Sequence, residues 1–163
     1  MKTWTLCTVL LVSTLLAGCA GPSVRDYAVT RPRFFLEAAP NTDGTVVVLP
    51  KSGVNVSVNS KPVLTEGDIV NVELAQVDLG KCLLFELSPS ARRDFYRLSG
   101  THQGRRLVLT VNDYPLGARR IDGAIENGVV FIFVEMDDDA LPQLVTNLKK
   151  STVALQQELR RKG

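Results

Sequence analysis

The sequence predicts an α+β fold, in which two helices pack on a mostly antiparallel sheet. Short β-branched runs recur between residues 45 and 134, separated by clusters of Gly, Pro, Asn and Asp that favour turns. Ser88-Pro89 has the residue types of a helix start, and residues 141–159 carry an apolar stripe at helical spacing. We find no internal repeat and no second domain, so one α+β domain is expected.

The first half of this domain is predicted to be rich in strands. Val54, Val56 and Val58 alternate with polar residues, which is the period of two expected of a half-buried strand. A β-branched run stops at Pro50, and residues 65–69 favour a single helical turn. The strands predicted here cover residues 33–37, 45–49, 54–58, 72–77 and 82–87.

A helix is predicted to follow at Ser88-Pro89, where Ser88 caps it. Pro89 would occupy the first helical position, at which its missing N–H is not needed. Ala91, Phe95 and Leu98 have the spacing i, i+4, i+7, so we expect them to form a buried stripe. The helix is expected to end near Ser99-Gly100.

Two more strands are predicted after that helix. Residues 106–111 form one of them, and residues 112–115 form a turn. Residues 129–134 are apolar on both faces, which is typical of a central strand covered on both sides. We therefore predict that the core is lined by one of two alternating sets, either Phe131 and Phe133 or Ile132 and Val134.

The C-terminal stretch predicts a long amphipathic helix. Asp137, Asp138 and Asp139 would place negative charge at its N-terminus, where the helix dipole favours it. The alternative for these acids is a hard cation, although Ca²⁺ requires six to eight oxygen ligands from a looped arrangement. The residues expected on the apolar face are Leu141, Leu144, Val145, Leu148, Leu155 and Leu159.

The start of the chain has the pattern of a secretory signal. Lys2 is the only charge before Arg25, and residues 6–17 are mainly apolar. A membrane-spanning helix needs about 20 apolar residues, so this run is too short to be one. A basic start, a short apolar centre and a small-residue end predict a cleaved signal peptide over residues 1–18.

Leu16-Ala17-Gly18-Cys19 resembles the bacterial lipoprotein box, in which the cysteine thiol receives diacylglycerol and the bond before it is cut. The alternative is an ordinary export signal with an incidental cysteine. Ala20, rather than Asp, follows the cysteine, and by the same resemblance this favours the periplasmic face of the outer membrane over the inner membrane. The expected organisation is a signal peptide (1–18), a lipidated tether (19–32) and a single domain (33–159).

Composition excludes several classes of protein. The formal charge of +2 falls to about +1 when Lys2 leaves with the signal, far from the basic excess of a nucleic-acid-binding protein. Cys7 would also leave and Cys19 would carry lipid, so Cys82 remains alone and no intramolecular disulfide can form. Cys82 lies in an apolar run, whereas a reactive thiolate requires a cationic, partly exposed setting. We therefore interpret Cys82 as a core residue.

Four groups of residues between positions 62 and 150 carry a resemblance to a known family. They are Pro62-Val63-Leu64-Thr65 with Asp68-Ile69; Leu84-Phe85-Glu86-Leu87-Ser88; Gly104-Arg105-Arg106-Leu107-Val108-Leu109-Thr110-Val111; and Ile121, Ile125 and Gly128 before the apolar strand. In order and spacing they resemble the periplasmic head region of SecD, an accessory subunit of the protein translocon. The resemblance implies a SecD-head-like fold and contact with an unfolded chain.

Two departures from the SecD pattern limit what this resemblance implies about function. SecD heads commonly carry Ser-Ala-Pro where this chain has Gly117-Ala118-Arg119, and a glycine where it has Phe133. SecD also has membrane helices that bear proton-coupling charges. The mature chain is expected to have no spanning segment, so the resemblance does not extend to a proton-driven motor.

Paired arginines are the surface feature with the clearest chemical direction. If they converge on one rim, their guanidinium groups would suit a carboxylate or phosphate partner in bidentate geometry. The alternative is that they are scattered solvated charges. The residues of this candidate anionic-partner site are Arg92, Arg93, Arg105, Arg106, Arg119 and Arg120.

A catalytic site is not apparent in the sequence. His102, the single histidine, lies in a polar turn at residues 100–104, where histidines are typically solvated. The sequence has no Gly-x-Ser-x-Gly motif, no Cys/His pairing and no phosphate-binding glycine loop. We therefore predict no catalytic residue, no cofactor and no metal ion.

These patterns together predict a membrane-anchored periplasmic lipoprotein that acts as a non-enzymatic binding or assembly module, linked to protein export or envelope biogenesis. Its expected partners are the membrane, through lipid on Cys19, and another envelope protein or an unfolded exported chain. The alternative is an envelope hydrolase with an unrecognised active site. A deep polar pocket would favour the hydrolase, and an unpaired sheet edge would favour the binding module.

Overall fold

Strands and helices account for most of residues 25–162, the part of the chain that the computed structural model describes. The strands are β1 Pro32–Leu36, β2 Thr45–Val48, β3 Asn55–Val58, β4 Ile69–Val77, β5 Gly80–Leu87, β6 Arg106–Val111, β7 Tyr114–Arg120 and β8 Val129–Ile132. The helices are α1 Pro89–Thr101 and α2 Leu141–Lys162, with a 3₁₀ turn at Glu66–Asp68.

All strand pairs among these elements are antiparallel, and they form three small sheets. The first sheet has the order β1-β6-β7, β2 and β3 form a hairpin, and the second sheet has the order β4-β5-β8. Isolated bridges from Glu37 to Val58 and from Phe34 to Leu64 connect β1 to the hairpin and to the segment before β4. The predicted α+β class with two helices is confirmed, but the sheet is divided into three.

The main core lies between the first sheet, the second sheet and both helices. Phe34 and Phe85 meet edge to face with their ring centroids 5.0 Å apart, so they join the two sheets. Leu107 and Leu109 of β6 are buried in the same cluster. This core fixes the relative positions of the two sheets.

A smaller second core lies between the hairpin and the other face of the first sheet. Val56 and Val58 of β3 pack there with Leu49 and with Val108 of β6. Consecutive residues of a strand point to opposite faces, so β6 is buried on both faces, by the main core and by the hairpin. β6 is therefore covered on two faces, as is β1, whose Phe34 lies in the main core and whose Phe35 packs against the second core.

The prediction of a central strand at residues 129–134 is wrong. β8 is an edge strand that pairs with β5, and the side chain of Phe131 is 43% exposed. Val130 and Ile132 are fully buried, and Val134 packs against the main core, so one of the two predicted alternating sets does face inward. On the outer face, Phe131 packs against the guanidinium group of Arg119, and this contact accounts for an apolar side chain there. Hydrophobic periodicity does not reveal a contact of this kind.

Both helices begin where the sequence predicts. The Ser88 hydroxyl accepts a hydrogen bond from Ala91 N at 3.3 Å, and Phe95 is buried. In α2, Leu141 and Leu148 are buried.

The three aspartates lie directly before α2, at its N-terminal end, although none lies in its first turn. Asp137 and Asp138 form ion pairs with Lys51 of the hairpin turn and Lys81 of β5, which connect these segments to the residues before α2.

The segment before β1 lies along α2. Thr30 N donates to Ser151 Oγ at 2.9 Å, and Asp26 forms an ion pair of 2.6 Å with Lys150. The end of the predicted tether is therefore held against the helix. The predicted signal peptide and Cys19 lie outside the described residues.

Candidate functional site

The open edge of β2 is the strongest candidate site for binding another chain. Leu49 N donates to Val54 O at 3.0 Å, so the backbone of Leu49 faces β3. By the alternation of an antiparallel pair, the backbone of Val47 also faces β3, while the N–H and C=O groups of Val46 and Val48 face away. Within residues 25–162 these outward groups have no hydrogen-bond partner.

The side chains of this edge are also apolar and exposed. Val46 is 62% exposed and Val48 is 52% exposed, and both lie on the outer surface of the hairpin. Asn55 and Ser57 of β3 lie opposite them in register. The edge therefore offers unpaired backbone groups beside a β-branched surface, which are the features that an added strand uses.

The second core holds the hairpin that carries this edge. Val47 packs on the same cluster as Leu49 and Val58, while Ser57 O accepts a hydrogen bond from Ala38 N at 2.8 Å. The hairpin is thus attached to β1 along β3, and its other strand, β2, remains at the free edge.

The hairpin turn is fixed by the carboxylate of Glu135. Its Oε2 accepts from Lys51 N at 2.9 Å and from Ser52 N at 2.8 Å, and its Oε1 accepts from Ser52 Oγ at 2.6 Å. Burial alone raises the pKa of Glu135, but these hydrogen bonds outweigh it and hold the pKa below its usual value. The turn therefore depends on an ionised carboxylate.

The edge of β8 differs because side chains cover part of it. Asn127 Oδ1 accepts from Val129 N at 3.0 Å, and Arg119 Nη1 donates to Phe131 O at 3.1 Å. The guanidinium carbon of Arg119 lies 3.9 Å from the centre of the Phe131 ring. The chain after β8 then runs beside β7, where Glu135 N donates to Leu116 O at 2.6 Å.

Gly117 allows this close approach between β7 and the chain after β8. A Cβ at position 117 would collide with the carbonyl oxygen of Phe133. This is one of the positions at which the sequence departs from the SecD pattern, so the departure has a local packing reason.

The arginines predicted as an anionic-partner site are placed in several environments. Arg106 and Arg120 lie opposite each other in register, so they share one face of the first sheet. Arg119, the neighbour of Arg120 in β7, points to the opposite face. Arg105 precedes β6 and contacts Glu37, as Arg106 does. Arg119 nevertheless lines one groove of about 370 Å³ together with Arg106, Arg120 and Glu37.

Internal contacts engage the four arginines near β6 and β7. Arg106 Nη2 lies 2.6 Å from Glu37 Oε1, and Arg105 donates to the backbone carbonyl of Glu37. The hydrogen bond from Arg106 lowers the pKa of the Glu37 carboxyl and raises the pKa of Arg106 itself. Arg120 Nε donates to Gly104 O at 2.9 Å, and burial lowers the pKa of Arg119.

The remaining pair lies on α1. Arg92 Nε donates to Glu126 O at 2.8 Å, and Glu126 lines, with Arg119 and Phe131, a groove of about 430 Å³. Arg93 is exposed and has no ion pair within the described residues. The structure thus places Arg106, Arg119 and Arg120 around one groove and Arg119 also at the Phe131 groove, whereas Arg92 and Arg93 line neither of these two grooves.

The groups that a catalytic hypothesis would use are occupied or buried. Cys82 is 1% exposed, and burial raises the pKa of its thiol, which disfavours the nucleophilic thiolate. His102 Nδ1 lies 2.9 Å from Leu98 O at the end of α1. Across residues 25–162 no cluster of three His, Cys, Asp or Glu residues has metal-binding geometry. In the same part of the chain, no helix is both long and apolar enough to span a membrane.

Sequence reasoning did not single out the residues of the β2 edge. The run Thr45 to Leu49 was predicted as a strand, but nothing in it identifies which neighbours it lacks. The available signal was a β-branched run that is apolar on both faces and ends at Pro50. Burial of one face explains only half of those apolar side chains.

The fold of this chain resembles that of known proteins, although its sequence does not match them. No family model matches the chain, and no curated protein matches its sequence. A structure of SecDF, described as a membrane component that enhances protein export, matches with a TM-score of 0.58 and 14% identity over 76% of this chain and 63% of that one. SecDF in a super-membrane-facing form gives the same TM-score and identity, with 19% of that chain covered.

A third match is to SecDF from Thermus thermophilus, described as a translocon-associated membrane protein, with a TM-score of 0.51 and 16% identity over 77% of this chain and 20% of that one. This chain thus spans less than two thirds of the first SecDF chain and about a fifth of the other two. The expected SecD-head-like fold is confirmed.

Proposed function

We propose that this protein is a membrane-anchored periplasmic lipoprotein that acts as a non-enzymatic binding module. The open edge of β2 pairs with an extended segment of an exported or envelope protein. The observation that carries the proposal is the row of unpaired backbone groups at Val46 and Val48, flanked by exposed valine side chains. Main-chain hydrogen bonds supply affinity in this mode of binding, so the partner needs an extended conformation more than a particular sequence.

Two further observations support this proposal. The SecD-head-like fold is shared with SecDF structures, one of which is described as enhancing protein export. In addition, buried Cys82 and the hydrogen-bonded His102 do not provide the activated groups that a hydrolase needs. The proposed link to protein export or envelope biogenesis rests on the first of these, and the non-enzymatic role rests on the second.

The membrane attachment is proposed from the sequence. Cys19 ends a lipoprotein box, and two or three acyl chains on it would give stable anchoring where one chain binds only marginally. Ala20 after the cysteine favours the periplasmic face of the outer membrane.

Binding at the β2 edge is tested by removing one outward N–H group. Val46→Pro deletes a donor that the hairpin does not use, and proline is tolerated at outward positions of edge strands. The probe is an unfolded exported polypeptide, reduced and carboxymethylated, and its affinity is measured by fluorescence anisotropy. We expect Val46→Pro to weaken binding at least tenfold, while the matched control Val46→Thr keeps the donor and the affinity.

Equal affinity of both variants for the unfolded probe would contradict binding at β2. A thermal unfolding curve for each variant shows that the domain is intact. Crosslinking from position 48 in native membranes would then identify the natural partner.

Lipid attachment is tested separately with Cys19→Ser. We expect this variant to lose lipid and to leave the membrane fraction after a high-salt wash, with residues 33–159 still folded. A variant that remains with the membrane would show that another anchor exists.

A further inference from the structure

The charge of the protein is concentrated on α2. This helix contains one acid, Glu158, against five basic residues, and therefore has a net formal charge of +4 in a chain whose total is +2. All other residues together carry a net charge of −2. The basic residues of α2 are Lys149, Lys150, Arg160, Arg161 and Lys162.

The exposed face of α2 combines this charge with apolar surface. Lys149, Val153, Gln157 and Arg160 have the spacing i, i+4, i+8, i+11, which places them along one side of a helix. All four are exposed, and Val153 is 54% exposed. We call this side, together with Arg161, the basic face of α2. Basic residues interleaved with apolar ones are typical of helices that lie at a membrane surface.

The cations of this face are available to an external partner. Lys150 and Lys162 form ion pairs with Asp26 and Glu158, whereas Lys149, Arg160 and Arg161 form none with residues 25–162. Most of the charge on the basic face is therefore not neutralised within the described part of the molecule.

The tether brings this face close to a bilayer. Asp26 and Thr30 contact Lys150 and Ser151 of α2, so the described chain begins against the helix. Six peptide steps separate Arg25 from Cys19. An extended chain spans at most about 3.6 Å per residue, so Arg25 lies within about 20 Å of a lipidated Cys19. This step rests on the lipid attachment that we have proposed.

We propose that the basic face of α2 docks on the anionic headgroups of phospholipids in the membrane that holds the lipid anchor. Basic residues near an anionic surface are attracted to it over a distance of about one Debye length. The side of α2 away from the basic face packs into the main core, and the hairpin lies in the second core on the other face of the first sheet. Docking of α2 therefore directs the β2 edge away from the bilayer, where an extended chain can reach it.

The test uses the full-length protein as processed by the cells that express it, mixed with vesicles of phosphatidylcholine with or without phosphatidylglycerol. A fluorophore on Gln157→Cys reports energy transfer to a headgroup-labelled acceptor lipid, and the same fluorophore on Asn55→Cys reports the position of the hairpin. Cys82 is buried and does not compete for the label. We expect transfer from position 157 to rise in phosphatidylglycerol vesicles and to fall with added salt, while transfer from position 55 stays low.

Neutralising the basic face provides the decisive comparison. Replacing Lys149, Arg160 and Arg161 by Gln is expected to lower the ratio of docked to undocked protein on the order of 100-fold. The matched control neutralises Lys61, Arg93 and Arg97, three exposed basic residues elsewhere, and should leave transfer unchanged.

The outcomes separate this inference from the proposed anchor. Flotation of the wild type with phosphatidylcholine vesicles supports the lipid anchor. If energy transfer from position 157 then does not depend on lipid charge, or does not change when the three basic residues are neutralised, docking is overturned and the anchor is not. Flotation with phosphatidylglycerol only, lost on neutralisation, supports docking without an anchor. Failure to float with either vesicle overturns both.

Discussion

The edge strands β2 and β8 show two ways in which this molecule treats an unpaired strand. Both have four residues and lie at the edge of a small antiparallel sheet. At β8, Asn127 accepts from Val129 N and Arg119 donates to Phe131 O, so side chains occupy two of the outward backbone groups. At β2, the corresponding groups of Val46 and Val48 have no partner in residues 25–162.

This difference is the reason why we propose the β2 edge, and not the β8 edge, as the binding edge. Exposed strand edges promote aggregation, and proteins usually protect them with charges, prolines or bulges. The chain has such a device at β8, in the form of Arg119 stacked on Phe131. The four residues of β2 contain neither a charge nor a proline. The edge of β2 lacks the protection that the edge of β8 has, and this contrast supports the binding that we have proposed there.

The largest expected loss of stability comes from truncating a side chain of β8 that is buried in the main core. Ile132→Ala removes a fully buried side chain from the main core and should cost about 2–5 kcal/mol of the free energy of unfolding. Phe131→Ala, one residue earlier and partly exposed, should cost less. Urea denaturation of both variants measures the difference. A loss below about 1 kcal/mol at Ile132 would show that β8 does not anchor the main core.

Opening the β8 edge is expected to have the next largest effect. Arg119→Ala removes the donor to Phe131 O and the contact with its ring, so stability should fall by about 1–3 kcal/mol. The newly exposed edge should also increase self-association in sedimentation velocity. Arg120→Ala is the matched control, since Arg120 is exposed and donates to a carbonyl outside β8. Equal behaviour of the two variants would mean that Arg119 does not protect the edge.

A smaller, pH-dependent effect is expected where Glu135 holds the hairpin turn. Glu135→Gln should cost about 1 kcal/mol at neutral pH, because a charged acceptor is replaced by a neutral one. The pKa of Glu135 is lowered in the folded state, so its stabilisation is present above the ordinary value of about 4.3 and is lost as the pH falls through the folded pKa. The gap between wild type and variant should therefore close in acid unfolding experiments. A constant gap from pH 7 to pH 3 would contradict the role of the charge.

Local sequence patterns predicted most of the strands and helices but not which strands pair with each other. The alternation at Val54 to Val58, the Ser88-Pro89 start and the run at 106–111 each matched an element of the structure. β7 was missed because Pro115, Gly117 and two arginines lower strand propensity. It forms because Asn112 and Asp113, both with positive φ, make a tight turn that returns the chain alongside β6.

The candidate sites depended on non-local pairing, which the sequence does not state. Nothing in residues 45–48 shows that β3 has a second neighbour and β2 does not, because that follows from the bridge between Glu37 and Val58. The arginine pairs are a different case. Alternation along a strand already implies that Arg119 and Arg120 of β7 face opposite sides, so this much could have been predicted.

The smallest expected effect on stability is also the most direct test of the comparison between edges. Val48→Lys changes a side chain that is exposed and outside both cores, so the free energy of unfolding should change by less than about 0.5 kcal/mol. An edge lysine nevertheless opposes strand addition, because pairing would desolvate its charge. Affinity for the carboxymethylated probe should therefore fall at least tenfold, as at Val46→Pro. Val153→Lys, an equally charged change at an exposed valine of α2, should leave that affinity intact. If both lysine variants bind the probe as the wild type does, the open edge of β2 is not where the extended chain binds.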